Sequence, residues 1–445
     1  MSLAALQRLH AIMPSVLSDL KDLVRIPSVG ADPSRSEDVR RSADAVAALL
    51  RDAGFARVDV VSAGGGPAVI ANHPAPPGSP TVLLYAHHDV QPTGDPAVWT
   101  SPPFEPTERG ERLYGRGAAD DKAGIAAHLA AFRAWDGAPP VGVTVFVEGE
   151  EESGSASLGT LLDTYRDRLA ADVIVIADST NWAIGTPALT TTLRGLVDCV
   201  VEVETFKHAV HSGMWGGVFP DALSVLVRLL ATLHDDTGEV AVSGLHVGTA
   251  ADVEYPLDRL HAESGVLDGV DQIGSGSVVD RLWAKPAISV IGIDAPTVAD
   301  SSNTLVPRAR AKVSMRIAPG SDTDASMDAL VEHLRTHAPW GARVTVTPND
   351  RGDAYAIEAE GPAYDAARSA FREAWDGVEP IDMGVGGSIP FIAEFASRYP
   401  DAAVLVTGVE DPDTRAHGVD EGLHLGEFSR VCAAETLLLA RLGEL

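Results

Sequence analysis

Short apolar segments alternate with longer amphipathic segments along the first part of the chain. Apolar positions at helical spacing predict an opening helix over 4–25 and a second helix over 37–54. Runs of apolar residues predict strands, with further helices between them. The strands are predicted near 57–61, 67–72, 81–86, 142–148 and 172–177, and the helices near 121–135 and 155–169. This alternation is typical of an α/β layer with a largely parallel central sheet that helices cover on both faces.

A different pattern begins near Arg194 and predicts a small two-layer α+β domain. Its predicted elements are strand 197–203, helix 221–234, strands 287–293 and 309–317, helix 323–337 and strand 342–348. This β-α-β-β-α-β order indicates a domain that is inserted into the larger one. The stretch 238–284 is rich in Gly, Asp and Ser, and its pattern predicts no element.

The α/β pattern resumes after Asp350. Helices are predicted near 361–374 and 424–442, with a strand near 402–406 between them. The chain therefore divides into two parts of one α/β domain around an insert. The predicted segments are 1–194 for the first part of this domain, 195–350 for the inserted domain and 351–445 for the second part.

The net charge and the cysteine content indicate which partners and which cellular compartment suit the protein. The 445 residues carry a net charge of −29, which argues against nucleic acid or an anionic membrane as a partner. Only Cys199 and Cys432 are present, so we expect no disulfide framework and a reducing compartment. The N-terminal residues lack the basic start and apolar core of a secretory signal, and we expect a cytoplasmic protein.

Acidic residues and a histidine follow several of the predicted strands. Residues 148–155 hold four glutamates after one apolar run, and His87 and Asp89 follow another. Asp178 comes after a third run. Ligands in open α/β sheets gather at the carboxyl ends of strands, where these groups would repel one another unless a cation compensates. The sequence therefore predicts a metal site and a metallohydrolase.

His87 and Asp89 stand two positions apart, whereas His88 lies between them. Residues two apart on a strand share a face, so His87 and Asp89 would point together and His88 would point away. A carboxylate beside a metal-bound imidazole fixes its orientation and tautomer. We therefore expect His87 to bind metal, Asp89 to orient it, and His88 to pack or form hydrogen bonds.

The glycine-rich segment 115–124 does not predict a dinucleotide loop. It places Asp120 where the third glycine of GxGxxG would stand, and a carboxylate there would repel a pyrophosphate. At the head of a helix the two oxygens of Asp120 could instead bridge two cations. Asp121 is expected to cap that helix, where the helix dipole favours its charge.

Three segments, 85–92, 115–122 and 148–155, resemble the carnosinase-type zinc dipeptidases. These belong to the co-catalytic metallopeptidase family that includes glutamate carboxypeptidase, acetylornithine deacetylase and succinyl-diaminopimelate desuccinylase. Residues 99–104 and 387–390 resemble the dipeptidase branch as well. The resemblance implies a three-layer catalytic domain with an inserted lid and dimerisation domain.

The resemblance also implies a ligand set for two Zn²⁺ per chain, for which Mn²⁺ or Co²⁺ could substitute. The implied ligands are Asp120 as the bridge, His87 and Asp178 at one ion, and Glu152 and His417 at the other. Glu151 would be the general base, with the one-residue ambiguity among the glutamates settled by counting back from 153–155. Two divalent ions and three carboxylates leave one positive charge, which a bridging hydroxide would neutralise.

The resemblance also implies substrate-contacting residues in the insert and in the segment near residue 387. His211 would stabilise the oxyanion from the partner subunit of a homodimer, with His208 as the rival in the same loop. Arg316 would bind the substrate's free carboxylate, since guanidinium pairs with carboxylate in a bidentate manner. The weaker candidates for the same pocket are Asn303, Thr304, Gly386, Gly387 and Ser388. The resemblance also suggests a cis peptide bond between Asp120 and Asp121.

One departure from the family pattern concerns the pocket. Gly384 and Val385 stand where many relatives carry an arginine and an acid, which leaves the side-chain preference open. We expect a hydrolase that cleaves dipeptides or short peptides with a free C-terminal carboxylate. The alternative is an N-acyl-amino-acid deacylase or desuccinylase with the same zinc core. A remote alternative is a non-catalytic ligand-binding protein of the same fold.

Overall fold

The structure is a computed structural model that describes residues 2–357, 359–387 and 390–445. The elements before the insert are α1 (Ser2–Val24), α2 (Ser36–Asp52), β1 (Arg57–Val61), β2 (Ala68–His73), β3 (Thr81–His87), β4 (Thr107–Arg109), β5 (Arg112–Tyr114), α3 (Lys122–Ala134), β6 (Gly142–Glu148), α4 (Leu158–Thr164), α5 (Arg166–Leu169), β7 (Val173–Ile176) and β8 (Ala188–Leu193). Most predicted bounds agree within two residues, and one predicted helix near 155–169 is two short helices.

The middle and last parts of the chain continue the numbering. The next elements are β9 (Gly195–Glu204), β10 (Val210–His211), α6 (Ser212–Trp215), α7 (Ala222–Ala231), α8 (Leu257–Ser264), β11 (Ala287–Asp294), β12 (Thr304–Leu305), β13 (Arg308–Ile317), α9 (Thr323–Thr336), β14 (Arg343–Gly352) and β15 (Tyr355–Ala356). The last are α10 (Pro362–Ala374), β16 (Ile381–Val385), α11 (Pro390–Arg398), β17 (Ala403–Val406), β18 (Gly422–His424) and α12 (Leu425–Leu442). Helix α8 lies in the stretch 238–284 for which the sequence predicted no element.

The chain forms two compact units. The first comprises Met1–Thr191, Glu358–Met383 and Phe391–Leu445, and the second comprises Thr192–Ile357 and Gly384–Pro390. The second unit is therefore an insertion into the first, with a short return segment near residue 384. None of the helices in the described ranges has the length and apolar character of a membrane span.

The first unit is built on a six-stranded mixed sheet in the order β1-β2-β6-β3-β7-β17. Strands β6, β3, β7 and β17 run parallel, and β1 and β2 at one side of the sheet are antiparallel to their neighbours. The central strands are buried, apart from the partly buried Thr81 at the start of β3, because both faces are covered. The mixed α/β class is confirmed, and the carboxyl ends of four parallel strands meet at one edge.

The second unit is a four-stranded antiparallel sheet in the order β11-β13-β9-β14. Alternate residues of β9 and β13 are buried, and they pack with the apolar residues of α7 and α9. Cys199 lies in this core, and Cys432 is buried in the first unit. The four strands of this sheet and helices α7 and α9 follow one another in the β-α-β-β-α-β order that the sequence predicts.

Candidate metal centre

Six acidic and imidazole side chains meet at the carboxyl edge of the parallel strands. His87 is the last residue of β3, and Asp178 follows β7. Glu151 and Glu152 lie on a 3₁₀ turn after β6, and Asp120 immediately precedes the N-cap of α3. The sixth, His417, lies in the loop between β17 and β18. The sheet thus brings together groups that lie far apart in the sequence.

One group of possible ligands surrounds His87. Its Nε2 atom lies 3.1 Å from Oδ1 of Asp120, 3.8 Å from Oδ1 of Asp178 and 4.0 Å from Oε2 of Glu151. Single ligand atoms of His87, Glu151 and Asp178 all lie within 4.8 Å of one another. Histidine nitrogen and carboxylate oxygen at this spacing are suitable ligands for Zn²⁺ and related ions.

A second group surrounds His417. Its Nε2 atom lies 3.0 Å from Oδ2 of Asp120 and 3.3 Å from Oε2 of Glu152. Asp120 therefore presents Oδ1 to His87 and Oδ2 to His417, which is the arrangement that a bridging ligand requires. Both groups fit a divalent cation, because each combines one imidazole with carboxylates at a partly dry edge of the sheet.

The electrostatics of the cluster favour added positive charge. Burial opposes the charged imidazole of His87, yet a hydrogen bond to Asp120 and the nearby carboxylates of Asp178 and Asp89 raise its pKa well above the usual value. Hydrogen bonds to Asp120 and Glu152 raise the pKa of His417 to about 10. Burial, together with Asp178, Glu152 and Asp89, raises the pKa of Glu151 to about 9 despite the opposing effect of His87. Excess negative charge is what two bound cations would offset.

Asp89 is buried beside His87 and organises the neighbouring turn. Nδ1 of His87 lies 3.1 Å from the backbone carbonyl oxygen of Asp89 and 3.6 Å from its Oδ1. The carboxylate accepts the backbone N–H groups of Glu151 and Glu152, each at 3.1 Å. Asp89 thus contacts the imidazole through its backbone and fixes the turn that carries both glutamates.

The neighbouring residues behave largely as their spacing predicts. Nε2 of His88 lies 2.7 Å from the carbonyl oxygen of Pro67, away from the cluster, and burial lowers the pKa of His88 to about 4. Oδ1 of Asp121 accepts the N–H of Gly124 at 3.2 Å and caps α3. The peptide bond between Asp120 and Asp121 is cis.

The remaining candidates lie in the second unit. His211 ends β10 and is exposed, and Thr304, the neighbour of Asn303, pairs with it across β10 and β12. Arg316 is half-buried on β13, opposite Leu196 of β9. Gly387 follows β16, and Ser388 lies outside the described residues. The structure thus places His211 opposite the neighbour of Asn303, and Arg316 on a different strand.

The sequence pattern does not single out two further acids near the cluster, Glu421 and Glu410. Glu421 is fully buried and accepts backbone N–H groups of the loop that carries Asp120. Glu410 lies beside Thr180, and burial together with Asp120 and Asp178 raises its pKa well above the usual value. Both acids lie in the loop that contains His417, which is the one feature of the sequence that could have indicated a role. Surface loops contain many solvated acids, however, so this position alone does not identify them.

The chain is similar over most of its length to a peptidase family and to named dipeptidases. The sequence profile of peptidase family M20/M25/M40 matches residues 83–441. The chain is 35% identical over 438 residues to a cysteinylglycine-S-conjugate dipeptidase of Corynebacterium striatum, with 96% of each chain covered. It is 29% identical over 462 residues to the Beta-Ala-His dipeptidase of Rattus norvegicus, covering 95% of this chain and 92% of that one.

A solved structure gives the same result at the level of the fold. The crystal structure of human carnosine dipeptidase 1 superposes with a TM-score of 0.81 at 25% sequence identity. The superposition covers 100% of this chain and 99% of the human chain. The similarity therefore includes both units and not only the region of the metal centre.

Proposed function

The chain belongs to peptidase family M20/M25/M40 and is a metallopeptidase, and we propose that it hydrolyses dipeptides or short peptides with a free C-terminal carboxylate. The observation that carries this proposal is the placement of Asp120 between His87 and His417, 3.1 and 3.0 Å away. The named relatives act on dipeptides, so the deacylase alternative is not favoured. A non-catalytic role is not favoured either.

We propose two Zn²⁺ as the native ions, with Mn²⁺ or Co²⁺ as possible substitutes. The proposed ligands are His87, Asp120 and Asp178 for one ion and Asp120, Glu152 and His417 for the other. When bound, such a pair would acidify a shared water and polarise the scissile carbonyl. The choice of zinc is supported by the mixture of imidazole and carboxylate donors.

Glu151 is proposed as the general base and acid. Its carboxylate stands with His87 and Asp178 at the edge of the cluster, and its side chain is 21% exposed, so a substrate can reach it. The backbone N–H of Glu151 donates a hydrogen bond to the carboxylate of Asp89 at 3.1 Å. Glu151 would take the proton of the attacking water and transfer it to the leaving amine nitrogen.

The insert is proposed to supply the substrate contacts. Nδ1 of His211 accepts the N–H of Gly213 at 3.1 Å, so the proton of the neutral ring is on Nε2 and can be donated to an oxyanion. Arg316 would pair with the substrate's carboxylate. Asn303, Gly387 and Ser388 remain candidates for the same pocket.

Assembly and compartment are also proposals. We propose a homodimer that forms through the inserted domain and brings His211 to the partner's metal centre. The apolar side chains exposed on β11, including Val290, Ile291 and Ile293, support an interface at that edge strand. The two buried free cysteines support a reducing compartment, and we propose the cytoplasm.

A substrate panel on the metal-loaded protein tests the proposed function. Cysteinylglycine and β-alanylhistidine would be compared with N-acetyl and N-succinyl amino acids, each with and without chelator. We expect metal-dependent release of amino acids from the dipeptides and little from the acylated compounds. Faster hydrolysis of the acylated amino acids would overturn the proposal in favour of a deacylase.

A further inference from the structure

The position of His417 depends on its loop and not on the packing of its ring. The His417 side chain is 60% exposed, although its Nε2 atom lies close to Asp120 and Glu152. Four residues further on, Glu421 is completely buried. The loop is thus anchored at a buried carboxylate, and the exposed ligand is carried by the backbone next to that anchor.

The carboxylate of Glu421 accepts four hydrogen bonds from the segment that presents Asp120. Oε2 accepts Nη1 of Arg116 at 2.7 Å and the N–H of Gly117 at 2.9 Å. Oε1 accepts the N–H of Ala119 at 2.9 Å and that of Asp120 at 3.1 Å. A fully buried carboxylate that accepts four hydrogen bonds is held in one orientation.

Arg116 connects the same segment to the residue after His417. Its Nη2 donates to the carbonyl oxygen of Gly418 at 3.0 Å, and its side chain is only 1% exposed. The backbone N–H of Gly115 donates to the carbonyl oxygen of Glu421 at 3.0 Å, which extends the pairing of β5 with β18. The segments that carry Asp120 and His417 are therefore fixed to each other by hydrogen bonds.

We propose that Glu421 and Arg116 are positioning residues that set the cation affinity of the Asp120–Glu152–His417 group. Ligands from separate loops lose conformational freedom when they bind a cation, and that cost falls if the loops are already fixed to each other. Mutation of residues that hydrogen-bond to metal ligands typically lowers the affinity for the metal by about 10–100-fold. This inference rests on the proposed metal-binding role and not on the substrate.

The direct test is Glu421→Gln in the full-length protein. A glutamine keeps one acceptor oxygen but turns an amide group towards backbone N–H donors. Co²⁺ titration of the apoprotein, followed by visible absorbance, should show one ion bound as in the parent protein and the other about 10–100-fold more weakly. Saturating Co²⁺ should restore kcat with KM unchanged, which would not happen if the fold itself were damaged.

Glu427→Gln provides a matched control. Glu427 is 2% exposed in the same unit, and its carboxylate accepts Nε1 of Trp375 at 2.9 Å. This control should bind both ions as the parent protein does. Should Glu421→Gln fail to fold, Arg116→Lys keeps the charge and removes the guanidinium bond to Gly418, and it should weaken the same ion.

Two results separate this inference from the proposed function. If folded Glu421→Gln and Arg116→Lys bind both Co²⁺ ions with the affinity of the parent protein, the positioning role is wrong. If the parent protein binds two ions but cleaves no dipeptide, the proposed function is wrong. In that case a selective weakening of one ion in Glu421→Gln would still support the positioning role, because the titration does not depend on turnover.

Discussion

Nδ1 of His128 lies 2.9 and 3.0 Å from the two carboxylate oxygens of Glu435 in the core of the first unit. Nε2 of the same ring lies 3.0 Å from the carbonyl oxygen of Tyr85. Both ring nitrogens therefore face acceptors, an arrangement that suits the doubly protonated imidazole. Burial opposes that charge, but Glu435 and the Tyr85 carbonyl raise the pKa of His128 overall.

This buried pair predicts a pH-dependent contribution to stability. Because the folded pKa of His128 is raised, its contribution is complete below about pH 6.5, the unfolded value, and is lost as the pH rises through the folded pKa. His128→Gln should cost about 3–5 kcal/mol at pH 6, since it leaves Glu435 without its partner, and less at pH 9. Urea unfolding of both proteins at the two pH values measures this. A pH-independent difference between them would contradict the prediction.

Glu151→Gln tests the proposed division of roles on the 3₁₀ turn. We expect turnover to fall by at least about 100-fold, because the variant cannot accept a proton, while both metal ions remain bound. Glu152→Gln should instead weaken the ion at His417, which lies 3.3 Å from its carboxylate. Metal content after dialysis and dipeptide hydrolysis distinguish the two. Loss of metal in Glu151→Gln alone would mean that the roles are reversed.

The sheet and the edge on which the cluster lies could be predicted because each depends on local signals. Apolar runs predict β3, β6 and β7 within two residues, and parallel strands must end at a common edge. The structure confirms the α/β class, and the family match and the dipeptidase relatives confirm the metallopeptidase function. The assignment of individual ligands stays a prediction, although the structure brings His87, Asp120 and Asp178 together.

Features that depend on tertiary contacts could not be predicted from the sequence pattern. Glu421 looks like a solvated loop acid until the segment of Asp120 folds around it. At Gly384 the backbone passes so close to Trp283 that a Cβ atom would lie 2.4 Å from the Cβ of that residue. A side chain at position 384 would therefore have to displace Trp283, and this contact joins residues that are distant in sequence.

His211→Ala tests the proposed oxyanion contact. The substitution should lower kcat about 100-fold or more with metal content unchanged, because loss of one oxyanion donor costs about 2.7–4 kcal/mol. His208→Ala is the matched control, since His208 is also exposed and lies in the same loop. Steady-state kinetics and metal analysis are the measurements. If His208→Ala is the impaired variant, the lid histidine has been assigned to the wrong residue.

Arg316→Lys tests recognition of the substrate's carboxylate. Lysine keeps the charge but cannot form a bidentate pair, so KM for a dipeptide should rise about 10–100-fold. Arg310→Lys is the control, because Arg310 is exposed on the same face of β13 and pairs with Asp294. A dipeptide amide should be a poor substrate for the parent protein and equally poor for Arg316→Lys. A KM for the free dipeptide that does not change would exclude this role.

Removal of the cations should destabilise the first unit, because only the imidazoles of His87 and His417 then offset the charge of the acids around Asp120. Ions that bind only the folded chain stabilise it by about 2.7 kcal/mol at a hundred times their Kd. A chelator should therefore lower the melting temperature, and added Zn²⁺ should restore it. Asp120→Asn should abolish this metal-dependent shift in melting temperature, because the two carboxylate oxygens of Asp120 face His87 and His417. Asp413→Asn, with a carboxylate 77% exposed in the loop of His417, should retain it. A parent protein that melts at one temperature with and without chelator would contradict the metal centre, whatever its activity.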